Sequence, residues 1–193
     1  MRPVPTSLVI AIGNGLRGDD GAAAHLLAGL GRPAPALRQV QQLTPELSAD
    51  LAAVRRVLFV DAWLAPPATE PPELPAERWG HGRRRPSGPE PLLRPLAPLA
   101  GDGATGWSPG SPLGASAPFS HQLAPAQLLA ITGLLFGTAP AAWELLLPAY
   151  QLGHGEGLSA GMRRQLPRAR SLLRGWCRGD ALSAAGAAAG GNA

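Results

Sequence analysis

Two short apolar runs, Ser7–Ile12 (SLVIAI) and Arg56–Asp61 (RVLFVD), constrain this chain more than anything else in it. Neither alternates polar with apolar residues, as a strand with one wet face would. Runs of this length without alternation read as strands covered on both faces. A weaker strand, Leu37–Gln42, lies between them. Helical segments separate the three: Asp20–Leu30, on its Ala and Leu content, and a helix opened by Thr44 as N-cap and Pro45 at its first position, running to about Val54. Downstream, Pro125–Phe136 reads as a helix, Trp143–Pro148 as a strand, Gly153–Gly157 as a loop, and Ser159–Cys177 as an amphipathic, Arg-rich helix. Strands alternating with helices predict an α/β fold, a mostly parallel sheet sandwiched by helices in a single domain.

The 193 residues suffice for a real core, but 22 Pro and 25 Gly exceed what compact elements use. Much of the proline falls in Leu64–Pro118, where Pro66–Pro91 and Gly101–Pro118 read as irregular or disordered and a strand is possible near Leu92–Leu99. The expected organisation is one domain over 1–180 with a Pro/Gly-rich insert at 66–118, followed by a disordered Ala/Gly tail at 181–193. No apolar run reaches the roughly 18 residues of a membrane span, and no signal peptide is evident. A single cysteine, Cys177, excludes a disulfide framework and any multi-Cys metal site. These features together predict a cytoplasmic protein with no membrane insertion. The net charge of +4 comes entirely from arginine. Its densest cluster, Arg83–Arg85, lacks interleaved aromatics and reads as a solvated loop, so no nucleic-acid partner is expected.

In an open parallel sheet, ligands bind beyond the carboxyl ends of the strands. Two acidic segments fall there. The first, Gly13-Asn14-Gly15-Leu16-Arg17-Gly18-Asp19-Asp20-Gly21, contains a literal G-x-G-x-x-G. A dinucleotide site needs a helix N-terminus free to take a pyrophosphate; here Asp19 and Asp20 would repel it. The second strand also ends without the acid that would hold the ribose. A plain reading is that one of the two aspartates caps the following helix while the other faces the site. The second segment is Asp61, closing its strand; alone, it reads as a strand-ending residue turned to the loop. A third segment, Ser120-His121, lies just before the helix at Pro125, and alone it is as readily a capping neighbourhood with an incidental histidine. Two carboxylates and an imidazole make a plausible set for a borderline metal such as nickel or zinc, with open positions left for water or substrate.

Asn14-x-Leu16-x-x-Asp19-Asp20-Gly21, then Asp61, then Ser120-His121-x-x-x-Pro125 resembles the hydrogenase maturation protease family. Gln42-Leu43-Thr44-Pro45-Glu46-Leu47 and Gly155-Glu156-Gly157-Leu158-Ser159 resemble further family segments in the same order. Ala11 and Ala23 stand where many members have glycine. The resemblance spans most of residues 7–175. It implies a twisted, largely parallel sheet between helices, and an endopeptidase, classed as aspartic-type, that removes the C-terminal extension of a [NiFe] hydrogenase large-subunit precursor. It implies that Asp20, Asp61 and His121 are both the catalytic and the nickel-contacting residues, the nickel being carried by the substrate, with no organic cofactor. Water would be activated by the metal, by one carboxylate as general base, or by a pair of aspartates sharing a proton. A non-catalytic nickel-checkpoint chaperone is the alternative function, and a dinucleotide-binding enzyme a more distant one. Cys177, beside Trp176, is expected to pack rather than react. His25 reads as a helix-surface residue, His154 as a turn residue and His81 as solvated.

Overall fold

The computed structural model describes residues 6–30, 35–64, 89–96 and 123–179. The expected insert at 66–88 and 101–118, the tail at 181–193, and Ser120, His121 and His81 lie outside the described residues.

Five strands form one sheet in the order β2-β1-β3-β5-β4. These are β1 (Ser7–Ile12), β2 (Ala36–Val40), β3 (Arg56–Leu64), β4 (Leu92–Leu96) and β5 (Ala141–Ala149). All pairings are parallel except that of β4 with β5. Helices α1 (Ala22–Leu27) and α4 (Ala160–Arg178) cover one face, and α2 (Ser48–Ala52) and α3 (Pro125–Phe136) the other. This is the α/β architecture that the unalternating strands predict. Every residue of β1 is buried, because helices press on both of its faces. Val9, Ala11, Leu58, Val60, Leu145 and Leu147 point toward α1 and α4. Leu8, Ile10, Ile12, Val57 and Phe59 point toward α2 and α3.

The Arg-rich last helix is amphipathic for a simple reason. Met162, Leu166, Ala169, Leu173 and Trp176 recur at helical spacing and are all buried. Its C-terminus rests on Arg56 at the start of β3. That guanidinium donates to the carbonyls of Trp176 and Cys177, both at 3.0 Å, and lies 4.6 Å from the centre of the Trp176 ring. A cation there meets the negative end of the helix dipole and an aromatic face together. Cys177 is half-buried beside it, and burial pushes its thiol pKa up, which suits packing rather than nucleophilic chemistry.

Three features differ most from the sequence reading. The helix expected over Asp20–Leu30 is a 3-10 turn over Gly18–Gly21 followed by the short α1, because the amide of Asp19 donates to Gln151 O, outside the helix. The helix expected from Thr44 to Val54 is likewise a 3-10 turn, Pro45–Leu47, leading into α2. Thr44 stands at the N-cap of the 3-10 turn with Pro45 after it, as expected, but its side chain makes no capping bond; its hydroxyl is turned to Glu46, holding that carboxyl below its usual range. Third, β3 does not end at Asp61 but pairs with β5 as far as Leu64. Among the described residues β4 is an edge strand, which is where Pro95 can be tolerated without a lost ladder bond.

β4 also brings a charge to the sheet. Arg94 lies in register with Glu144 of β5, and its Nε and Nη2 donate to one carboxylate oxygen, at 2.9 and 2.6 Å. Glu144 is only 8% exposed. Removing the partner of a buried charge costs far more than the pair contributes. Arg94→Ala should therefore destabilise the protein by roughly 2–4 kcal/mol. Urea unfolding at neutral pH checks this, and Arg94→Ala with Glu144→Gln should recover much of the loss.

Candidate active site at the carboxyl edge of the sheet

The loop after β1 is wound tightly by its glycines. Gly13 has φ +135°, and a Cβ there would stand 2.0 Å from the carbonyl oxygen of Asp20. A Cβ on Gly21 would stand 2.8 Å from Cα of Gly15. The chain thus doubles back on itself, so that Asp20 returns beside Asn14. The Asn14 amide donates to Asp20 Oδ2 at 3.0 Å, and the Asn14 side-chain oxygen accepts from the Leu16 amide at 2.9 Å. These local bonds account for the asparagine in the motif: it makes the turn that presents Asp20.

Neither aspartate caps a helix, contrary to the plain reading of the sequence. Asp19 is fully buried and accepts from Tyr150, Gln151 and Ser159. Asp20 is partly exposed and bound to the loop. The loop amides are also spoken for. Those of Gly13, Asn14, Leu16, Arg17, Gly18, Asp19 and Asp20 all have acceptors within the protein. A phosphate cradle needs such amides free, so the geometry does not favour a dinucleotide at the G-x-G-x-x-G segment.

Asp61 lies on β3 just past the last residue paired with β1. Ala11 is in register with Val60, and Asp61 pairs with Leu146 on its other side. By strand alternation it shares a sheet face with Phe59, the face covered by α2 and α3. Its pKa is raised from 3.8 to about 6. Burial is the main cause, since it penalises the charged form, and the charges of Asp20 and Glu144 push the same way. The Ala62 amide, donating to Asp61 Oδ1 at 2.7 Å, opposes them. The two aspartates sit at the same edge of the sheet and close enough to repel. Chemically this is a half-buried carboxylate that takes up a proton near neutral pH, beside a second that is held in a rigid turn.

Among the described residues, no group of three or more His, Cys, Asp or Glu could hold a metal ion. The third expected member, His121, falls outside them. Helix α3, four residues downstream of His121, is described: it packs on the same face as Asp61. The chain leaves it for β5 at the opposite edge of the sheet, where Ala141 donates to Arg55 O. Its first residue, Pro125, therefore lies toward the carboxyl edge. His25 is exposed on α1 and His154 is exposed in the loop after β5.

Three residues of this region escape a sequence reading. Asp19 looks like a cap, and only the fold reveals its partners 131 and 140 positions away. Glu144 carries a signal that could have been used, an acid inside the apolar run WELLLP, which demands a buried partner. That partner, Arg94, lies in a segment where the sequence shows little periodicity.

No protein-family profile matches this sequence, and no curated protein matches it. Solved structures do. The hydrogenase maturating endopeptidase HybD from E. coli superposes with a TM-score of 0.54 over 90% of this chain and 93% of its own, at 15% identity. A hydrogenase 3 maturation protease superposes at 0.51, covering 89% and 91%, also at 15% identity. An uncharacterized protein from Wolinella succinogenes gives 0.50, covering 88% and 94%, at 20% identity. At such identities the likeness is one of fold. The fold shared with hydrogenase maturation proteases is the one that the sequence resemblance implies.

Proposed function

We propose that this chain is an endopeptidase that removes the C-terminal extension of a nickel-loaded [NiFe] hydrogenase large-subunit precursor, acting in the cytoplasm. The observation that carries this reading is the pairing of Asp20 with Asp61 at the carboxyl edge of a fold shared with named maturation endopeptidases. Asp20, Asp61 and His121 form the surface that meets the nickel, which belongs to the substrate. Contact with that nickel places the scissile peptide nearby and makes cleavage conditional on a loaded precursor. Asp61 acts as the general base. With a pKa near 6 it accepts a proton from the attacking water and can return it to the leaving amine at neutral pH. Asp20, fixed by the Asn14 amide, holds its position while that proton moves. This proton route favours a general-base reaction over one in which two aspartates share a proton from the start, though both use the same residues. No helix of the described residues is long and apolar enough to cross a membrane.

The test is incubation with nickel-loaded precursor, followed by intact-mass analysis. Loss of the extension by the wild type, and its survival with His121→Ala, are the expected results. A precursor that binds but keeps its mass with the wild type would favour the chaperone reading.

A further inference from the structure

Asp19 is held more completely than its neighbour. It has no exposed surface. Its Oδ1 accepts from the Ser159 amide at 2.7 Å. Its Oδ2 accepts from the amides of Tyr150 at 2.9 Å and Gln151 at 3.1 Å, and from the Ser159 hydroxyl at 2.8 Å. The Asp19 amide donates back to Gln151 O at 2.9 Å, and the Gly18 amide to Gly155 O at 3.0 Å. The Ser159 oxygen also accepts from the Met162 amide at 3.0 Å, the N-cap of α4. One hydroxyl therefore joins the first turn of α4 to the 3-10 turn Gly18–Gly21, which carries Asp20.

Capping α4 needs only the serine, and ending β5 needs neither residue. What the arrangement adds is a rigid link between Asp20 and the body of the protein. On one side the turn is tied through Asp19 to the end of β5 and the start of α4. On the other, Asp20 itself is tied to Asn14. We propose that Asp19 and Ser159 are a positioning pair that fixes the orientation of Asp20 in the candidate active site. This rests on the reading of Asp20 as a site residue. Neither member meets substrate; Asp19 is sealed from solvent, and both act through the turn.

Ser159→Ala removes the hydroxyl, one of the four donors to Asp19, and with it the side-chain cap of α4, while Ser159→Thr keeps the hydroxyl. Asp19→Asn puts an amide among four donors and is the harsher change. The primary measurement is amide hydrogen exchange, because the Asn14 amide reports Asp20 directly and needs no substrate. In Ser159→Ala, Asn14 should exchange about tenfold or more faster while Val9 and Ile10 of β1 hold their protection, and Ser159→Thr should restore Asn14. On precursor, kcat for Ser159→Ala should fall about 10- to 100-fold with KM changed less than about twofold. Unchanged Asn14 exchange overturns the proposal, whatever happens to cleavage. So does a uniform loss of protection at Asn14, Val9 and Ile10, which would make the pair a matter of global stability. If the wild type does not cleave the precursor, the protease reading falls, and Asn14 exchange still decides the positioning role.

Discussion

Asp61→Asn should abolish processing and at the same time make the protein more stable. Without a carboxylate the proposed general base is gone, which corresponds to a loss of about 10²–10⁴ in rate. The gain in stability follows from the raised pKa. In the unfolded chain the group titrates near 3.8, and in the folded protein near 6. Between those values the folded state binds the proton more tightly, so stability falls as pH rises through that window. Below about 3.8 both states are protonated and there is no penalty. Above about 6 the penalty is complete, and the difference corresponds to at most about 3 kcal/mol. Asparagine has the same shape and keeps an oxygen for the Ala62 amide, but it never ionises. Urea unfolding should therefore show the variant more stable by roughly 1–3 kcal/mol at pH 7 and indistinguishable at pH 3.5. Equal stability at both pH values would mean that Asp61 is not held in the environment described. A carboxylate that destabilises its own fold marks a candidate functional site.

Gly13→Ala should be as damaging as any single methyl group can be in this protein. The new Cβ would lie 2.0 Å from the carbonyl oxygen of Asp20, at a φ of +135° that alanine rarely adopts. Backbone cannot yield as a flexible side-chain end would, so the whole loop must shift. The expected cost is about 3 kcal/mol or more, together with loss of processing, because the displaced atom belongs to Asp20. Gly15→Ala is the control: among the described residues beyond its chain neighbours, no atom lies within 4 Å of its Cβ position, and its backbone is not in the left-handed region. It should change stability by no more than about 0.5 kcal/mol. Thermal or urea unfolding of the pair measures the contrast. Equal behaviour would mean that the loop is not wound as described.

How much could be read in advance depended on whether the deciding interaction was local. β1 was legible to its last residue because burial on both faces leaves an unbroken apolar run. Helix α4 was legible because its buried face recurs at helical spacing. The position of Asp20 and Asp61 at one edge followed from strand order alone. The expectation that one of Asp19 and Asp20 caps a helix fails because short-range reasoning offers them only nearby amides, whereas the donors to Asp19 lie at positions 150–159. The first of the two 3-10 turns has the same origin, since the Asp19 amide is taken by the distant carbonyl of Gln151, whereas the second is closed by the local bond from the Leu47 amide to Thr44 O. Strand β3 outran Asp61 because its partner β5 continues, and pairing, not the apolar run, sets a strand's length.

The ties between Asp19 and positions 150–159 also bear on the order in which the molecule can assemble. A chain emerging from the ribosome has β1, β2 and β3 long before it has β5 or the start of α4. Until residues 150–159 arrive, Asp19 has none of the donors that bury it. Contacts spanning some 130–140 positions form late in folding, since the loop they close is long. Nascent or truncated chains would therefore carry the acidic loop in an unorganised form. Competence would be the last property the protein acquires.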